Sequence, residues 1–215
     1  MPAMSAGYYE RMSDGIQEFY LLPLSEEINR TFSNGARILD VGTGTGHLPI
    51  LLARGNERHH VTGLDLSRSF LRRAAARANE AGMGQRVTFF HGRVEAVEDR
   101  FDLIVSTCSL HHWRHPAAML KAMAGRLKDA GQIWLMDDAG DASEDARRDW
   151  VRRVEASFDA GILFKTVFTF ESGHLAYNET EIHALCDEAG LRISDFRIRG
   201  VFFLAKCRPA TGRQD

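Results

Sequence analysis

Two acids and a run of glycines stand where this chain could do chemistry. Asp40 precedes Gly42-Thr43-Gly44-Thr45-Gly46, and Asp65 lies 19 residues beyond Gly46. Glycines carry no Cβ, so such a turn lets a ligand lie directly on the backbone. A helix starting near Gly46 points unpaired N–H groups at the same place, which suits a carboxylate or phosphate. A carboxylate at the offset of Asp65 can accept hydrogen bonds from both hydroxyls of a ribose. A nucleotide-like guest satisfies all three features. The third group is the trio His111, His112 and His115. A loop histidine can act as general base when an acceptor must lose a proton. Imidazole is also a common metal ligand. The nearby sequence has no cysteine pair or carboxylate at a familiar zinc spacing, so no metal is expected. Plain packing of one ring, with the other bonded to backbone, accounts for the pair equally well.

The elements that position these groups follow from hydrophobic pattern and punctuation. Ile38–Val41 is a buried strand ending at the glycine turn, with a helix after Gly46. Val61–Asp65 is a short strand ending in an acid, and Ser67 caps a helix from about Arg68 to Ala81 that Gly82 and Gly84 stop. Arg86–His91, Phe101–Ser106 and Gln132–Met136 are the third to fifth strands, and a helix with apolar residues at helical spacing covers Pro116 to Leu127. Ser143 opens another helix, with Ala146, Trp150, Val154 and Phe158 every four residues. Asn178 with Glu181 caps a helix that Gly190 ends. Leu191–Arg199 and Val201–Arg208 form a closing hairpin at Gly200. Ahead of the first strand, Pro23 suggests two short helices, the second starting at Ser25-Glu26-Glu27.

Spacing separates two cofactor classes. A dinucleotide fingerprint wants G-x-G-x-x-G, and His47 occupies the third glycine position. The order Asp-Val-Gly-Thr-Gly-Thr-Gly resembles the first motif of the class I S-adenosylmethionine-dependent methyltransferases. Asp102-Leu-Ile-Val-Ser106, then Leu110-His-His-Trp113, Pro116, Leu120, Leu127-Lys128, Gly131 and Asp137, is similar to the run that small-molecule members carry after their fourth strand. The resemblance covers about residues 36 to 137. It implies a three-layer Rossmann-like α/β sandwich with a seven-stranded, mostly parallel sheet and an antiparallel C-terminal strand. It also implies S-adenosyl-L-methionine as cofactor. Asp40, Gly42, Thr43, Gly44 and Gly46 would hold the methionine end, Asp65 with Leu66 the ribose, and Val94 and the Thr107 carbonyl the adenine. Families of this kind usually have Gly-Asp-Ala where this chain has Gly92-Arg93-Val94. Arg93 therefore breaks the pattern, and either Glu95 supplies the missing acid or it faces solvent.

The sulfonium is an activated methyl donor, so in-line positioning and exclusion of water provide most of the rate, and His111 or His112 is needed only for an acceptor that must lose a proton. An aromatic or lipid-like small molecule suits the acceptor pocket, drawn among Tyr9, Trp113, Phe164 and Phe168 on segments that can fold over the sheet's ligand end. An NAD-linked oxidoreductase and a non-catalytic S-adenosylmethionine-binding protein are the alternatives. At 215 residues and 44% hydrophobic content, the chain reads as one domain: a helical arm over 1–35, a cofactor-binding core over 36–137, an insertion over 139–178 and a closing helix and hairpin over 179–208. The net charge of −2 gives no basic surface for nucleic acid. Three widely spaced cysteines suggest neither a disulfide framework nor a zinc pair and fit a reducing cytoplasm. No stretch approaches a membrane span. A homodimer stays open.

Overall fold

The computed structural model describes residues 6–157 and 176–210, with side chains over 19–156 and 176–210. The expected seven-stranded sheet is present in the order β3-β2-β1-β4-β5-β7-β6. Its strands are β1 (Arg37–Val41), β2 (His60–Asp65), β3 (Val87–His91), β4 (Phe101–Thr107), β5 (Leu127–Asp138), β6 (Leu191–Arg199) and β7 (Phe202–Pro209). β7 alone runs against the other six strands, pairing antiparallel with β5 and β6. The parallel strands therefore end on one edge, and the β6–β7 turn lies there too, since Asp138 pairs with Phe202.

Alternation along the strands builds the two faces. In β4, Leu103 and Val105 point into one core and Ile104 into the other. The first core is covered by α1 (Ala6–Thr31), α2 (His47–Gly55) and α5 (Glu144–Ser157), with α3 (Arg68–Glu80) packed beside α2 over β3. The second is covered by α4 (Pro116–Ala124) and α6 (Glu179–Glu188). Asn178 and Glu181 form the expected capping box, with both hydrogen bonds at 2.9 Å. No helix among the described residues is long and apolar enough to cross a membrane.

Several expectations are corrected. The two short helices around Pro23 are one helix, α1. An internal proline costs about 3 kcal/mol, but Leu21, Leu24 and Ile28 lie on one buried face, and each contributes roughly 1.5–3 kcal/mol. Burial outweighs the break. Ser25 starts nothing; its hydroxyl donates to the Leu22 carbonyl at 2.8 Å. The fourth helix stops at Ala124 and β5 starts at Leu127, because Leu127 pairs with Phe101 before an irregularity moves the register to Leu103 opposite Gln132. Cys186 and Cys207, remote in sequence, bring their buried thiols within hydrogen-bonding reach at 3.6 Å between α6 and β7, with no disulfide between them.

Candidate functional site

The turn after β1 is fixed by the protein on one side and open on the other. The N–H groups of Gly42 and Thr43 donate to the Leu64 carbonyl at 2.8 and 3.0 Å, which docks the turn on β2. Gly42 and Gly44 both have positive φ, at 77° and 54°. A Cβ on Gly42 would fall 2.3 Å from the Ser109 hydroxyl, so that glycine is required by packing. A Cβ on Gly44 would meet nothing within 4 Å. Gly44 thus faces a cleft lined by Tyr20, Asp40, Thr45, His47, Thr107 and Cys108. His47, standing where a dinucleotide fold has its third glycine, is the first residue of α2 and contacts Arg77.

Both acids are here. The Asp65 carboxylate accepts from Gly44 N–H at 3.0 Å and from Ser67 N–H at 2.7 Å, holding the glycine turn to the end of β2. A carboxylate has about four lone-pair sites, so two backbone bonds leave capacity for ribose hydroxyls. Asp40 is 1% exposed. Burial pushes its carboxyl up to about 7, the nearby Thr43 hydroxyl opposes this, and the negative charge of Asp65 adds to it. Asp40 Oδ1 and Thr43 Oγ1 are both buried without a hydrogen-bond partner. Orphaned buried oxygens are costly, and a ligand ammonium or hydroxyl in the cleft would satisfy them. The residues therefore fit the amino-acid end of S-adenosylmethionine.

Leu66 is 65% exposed, Arg93 and Glu95 are also exposed, and none of the three is among the residues lining the cleft. The Val94 side chain is buried in the second core, so only its backbone can serve a ligand. Thr107 ends β4, and Cys108 after it has φ 47°, an unusual conformation for a residue with a Cβ. The Cys108 amide donates to the Met136 carbonyl at 2.8 Å, and burial pushes its thiol pKa well up.

The histidine loop gains a partner that the sequence placed 26 residues away. His111 Nδ1 lies 2.6 Å from an Asp137 oxygen, with both side chains buried. With the carboxylate accepting, Nδ1 carries the proton and Nε2 is the basic nitrogen. His112 packs edge-on against His111 at 4.0 Å between centroids; burial and then the charge of His111 lower its pKa. Asp137 and Asp138 also bring carboxylate oxygens within 4.8 Å of the His111 ring, a grouping that spans β5 and the loop and was invisible in local spacing. Trp113 donates to the Ser109 hydroxyl at 3.0 Å and packs against the second core. Tyr9 has no described side chain, and Phe164 and Phe168 lie outside the described residues. Tyr20, which no motif singles out, borders the cleft.

Residues 38–131 match a family model described as a methyltransferase domain. A ubiquinone biosynthesis O-methyltransferase of Xylella fastidiosa is 36% identical over 109 residues, which is 47% of this chain and 42% of that protein. A malonyl-[acyl-carrier protein] O-methyltransferase of Priestia megaterium is 27% identical over 128 residues, 58% of this chain and 45% of that protein. The alignments thus span less than half the length of these relatives. Among solved structures, a putative S-adenosyl-L-methionine-dependent methyltransferase of Methanococcus maripaludis has a TM-score of 0.75 at 18% identity, covering 98% of this chain and 94% of that one. That likeness is one of fold.

Proposed function

We propose that this chain, a class I methyltransferase by its fold and by the domain match over residues 38–131, transfers a methyl group from S-adenosylmethionine to a hydroxyl of a small molecule. The observation that carries the reading is the open face at Gly44, flanked by the orphaned Asp40 and Thr43 oxygens and by Asp65. Asp40 and the backbone of the turn would hold the amino-acid end, Asp65 with Leu66 the ribose, and the Val94 amide and Thr107 carbonyl the adenine. Bound there, S-adenosylmethionine supplies a sulfonium-activated methyl group whose transfer leaves the bonding pair on sulfur.

Oxygen as the acceptor atom is favoured by the His111–Asp137 pair and by the O-methyltransferase relatives. His111 Nε2 would take the hydroxyl proton, and Asp137 would hold the ring tautomer and stabilise the imidazolium, the usual division of labour in a histidine–carboxylate pair. His112, uncharged more readily than an ordinary histidine, would shape the loop. A cytoplasmic setting suits this chemistry. None of the matches described above supports the NAD-linked alternative. Calorimetry decides between them: S-adenosylhomocysteine is expected to bind with one-to-one stoichiometry and NAD not at all. NAD binding without S-adenosylhomocysteine binding would overturn the reading.

A further inference from the structure

A second space of about 290 Å³ opens beside the glycine cleft, between α1, α5 and the β6–β7 turn. It is far larger than the methyl-sized gaps of a packed core and close to the lower end of small-ligand pockets. Its walls are Phe19, Tyr20, Met136, Trp150, Phe202 and Leu204. Three of the rings converge: Phe202 lies 4.9 Å from Tyr20 and 5.0 Å from Trp150, the latter edge-on at 87°. Ring faces and edges at these angles suit a flat apolar guest.

The charges at its border are unequal. Glu27 is held by Arg197 and by Lys206 at 2.6 Å, and Asp149 by Arg153 at 2.6 Å. The Arg199 side chain, at the turn, takes part in no ion pair or hydrogen bond among the described residues. One cation is therefore left to meet a guest. Tyr20 borders both spaces and contacts the thiol of Cys108, a residue that lines the cleft and has a positive φ. Backbone strain of this sort gathers at functional sites.

We infer that the cavity between α1, α5 and the β6–β7 turn is the acceptor subsite, that it takes a flat apolar molecule bearing an acidic group at Arg199, and that Tyr20 and Cys108 form its opening to the methyl donor. The inference rests on the methyltransferase reading above. A hydroxyl on such a guest would point past Tyr20 into the cleft, while the acid stays at the rim.

The test uses 2-naphthoate and its neutral amide as probes, titrated into the whole protein with and without saturating S-adenosylhomocysteine. Naphthoate is expected to bind saturably, and more tightly than the amide. Ala146→Phe, which fills the cavity from the half-buried side of α5, should weaken naphthoate about tenfold or more while leaving S-adenosylhomocysteine affinity unchanged. Arg199→Gln should weaken naphthoate about fivefold and leave the amide unchanged. Naphthoate binding that is absent, or indifferent to Ala146→Phe, overturns the subsite; equal loss for acid and amide in Arg199→Gln overturns the anionic class. Failure of S-adenosylhomocysteine to bind the unsubstituted protein refutes the methyltransferase reading instead, and the naphthoate titration without it still decides the cavity.

Discussion

Replacing Asp40 by Asn should stabilise the protein without ligand and cripple its ligand binding. The carboxyl rises from an ordinary 3.8 to about 7 through burial first, with the Asp65 charge contributing. That rise corresponds to about 4 kcal/mol against the ionised form, since each tenfold is about 1.4 kcal/mol. For an acid whose folded pKa is raised, the unfolded chain releases the proton first, so stability is full below 3.8 and falls as pH climbs to about 7. Asn removes the charge but leaves a buried amide that lacks a partner, costing about 1–3 kcal/mol. The net gain at pH 8 is about 1–3 kcal/mol. Urea denaturation at pH 5 and pH 8 reads this directly: the variant should gain on the parent mainly at pH 8. Ligand affinity moves the other way. A ligand ammonium needs the ionised carboxylate, so S-adenosylhomocysteine should bind about tenfold more tightly at pH 8 than at pH 6 in the parent, and weakly at both in the variant. Equal stability of parent and variant at pH 8, or a flat affinity profile in the parent, would refute the reasoning.

Gly44→Val tests the open face of the turn. Its Cβ meets no protein atom, so the cost to folding is the positive φ alone, about 1–2 kcal/mol, whereas S-adenosylhomocysteine binding should disappear; circular dichroism and calorimetry read the two halves. His59→Leu should remove an acid sensitivity. The His59 ring is fully buried with both nitrogens lacking partners, and burial, then the Arg86 charge, lower its pKa. A depressed histidine contributes stability above its unfolded value of 6.5 and loses it as pH falls, so between pH 7.5 and 5.5 the denaturation midpoint of the variant should fall less than that of the parent.

The strands were legible as short apolar runs that end in glycines or acids, a local signal, whereas the mostly parallel sheet came only from the family resemblance. The capping box at Asn178 and Glu181 was legible for the same reason. What failed locally was decided by tertiary burial. Pro23 reads as a break, yet Leu21, Leu24 and Ile28 bury one face across it and the helix continues. The early start of β5 depends on Leu127 meeting Phe101, a pairing that no window of sequence contains. The segment carrying Phe164, Phe168 and Phe170 lies outside the described residues, so its aromatic pattern is known from sequence alone.

The site divides along the same line, and the division says which of its residues are interchangeable. Gly42 and Gly44 are identical in sequence, and both read as permissive backbone. In space one is jammed against Ser109 and the other faces an open cleft, so a motif position cannot distinguish a packing glycine from an open one. Asp65 was legible as an acid at a strand end, but its bonds to Gly44 and Ser67 make it a brace for the turn as well. Its loss would therefore reach binding by two routes, and a drop in affinity for Asp65→Ala cannot by itself be assigned to ribose. His111 follows the opposite course. As one of two adjacent histidines it had no more claim to chemistry than its neighbour, and the partner that singles it out, Asp137, comes from another strand at 2.6 Å. A lone imidazole or carboxylate acquires its tautomer, charge and direction only from what the fold sets beside it.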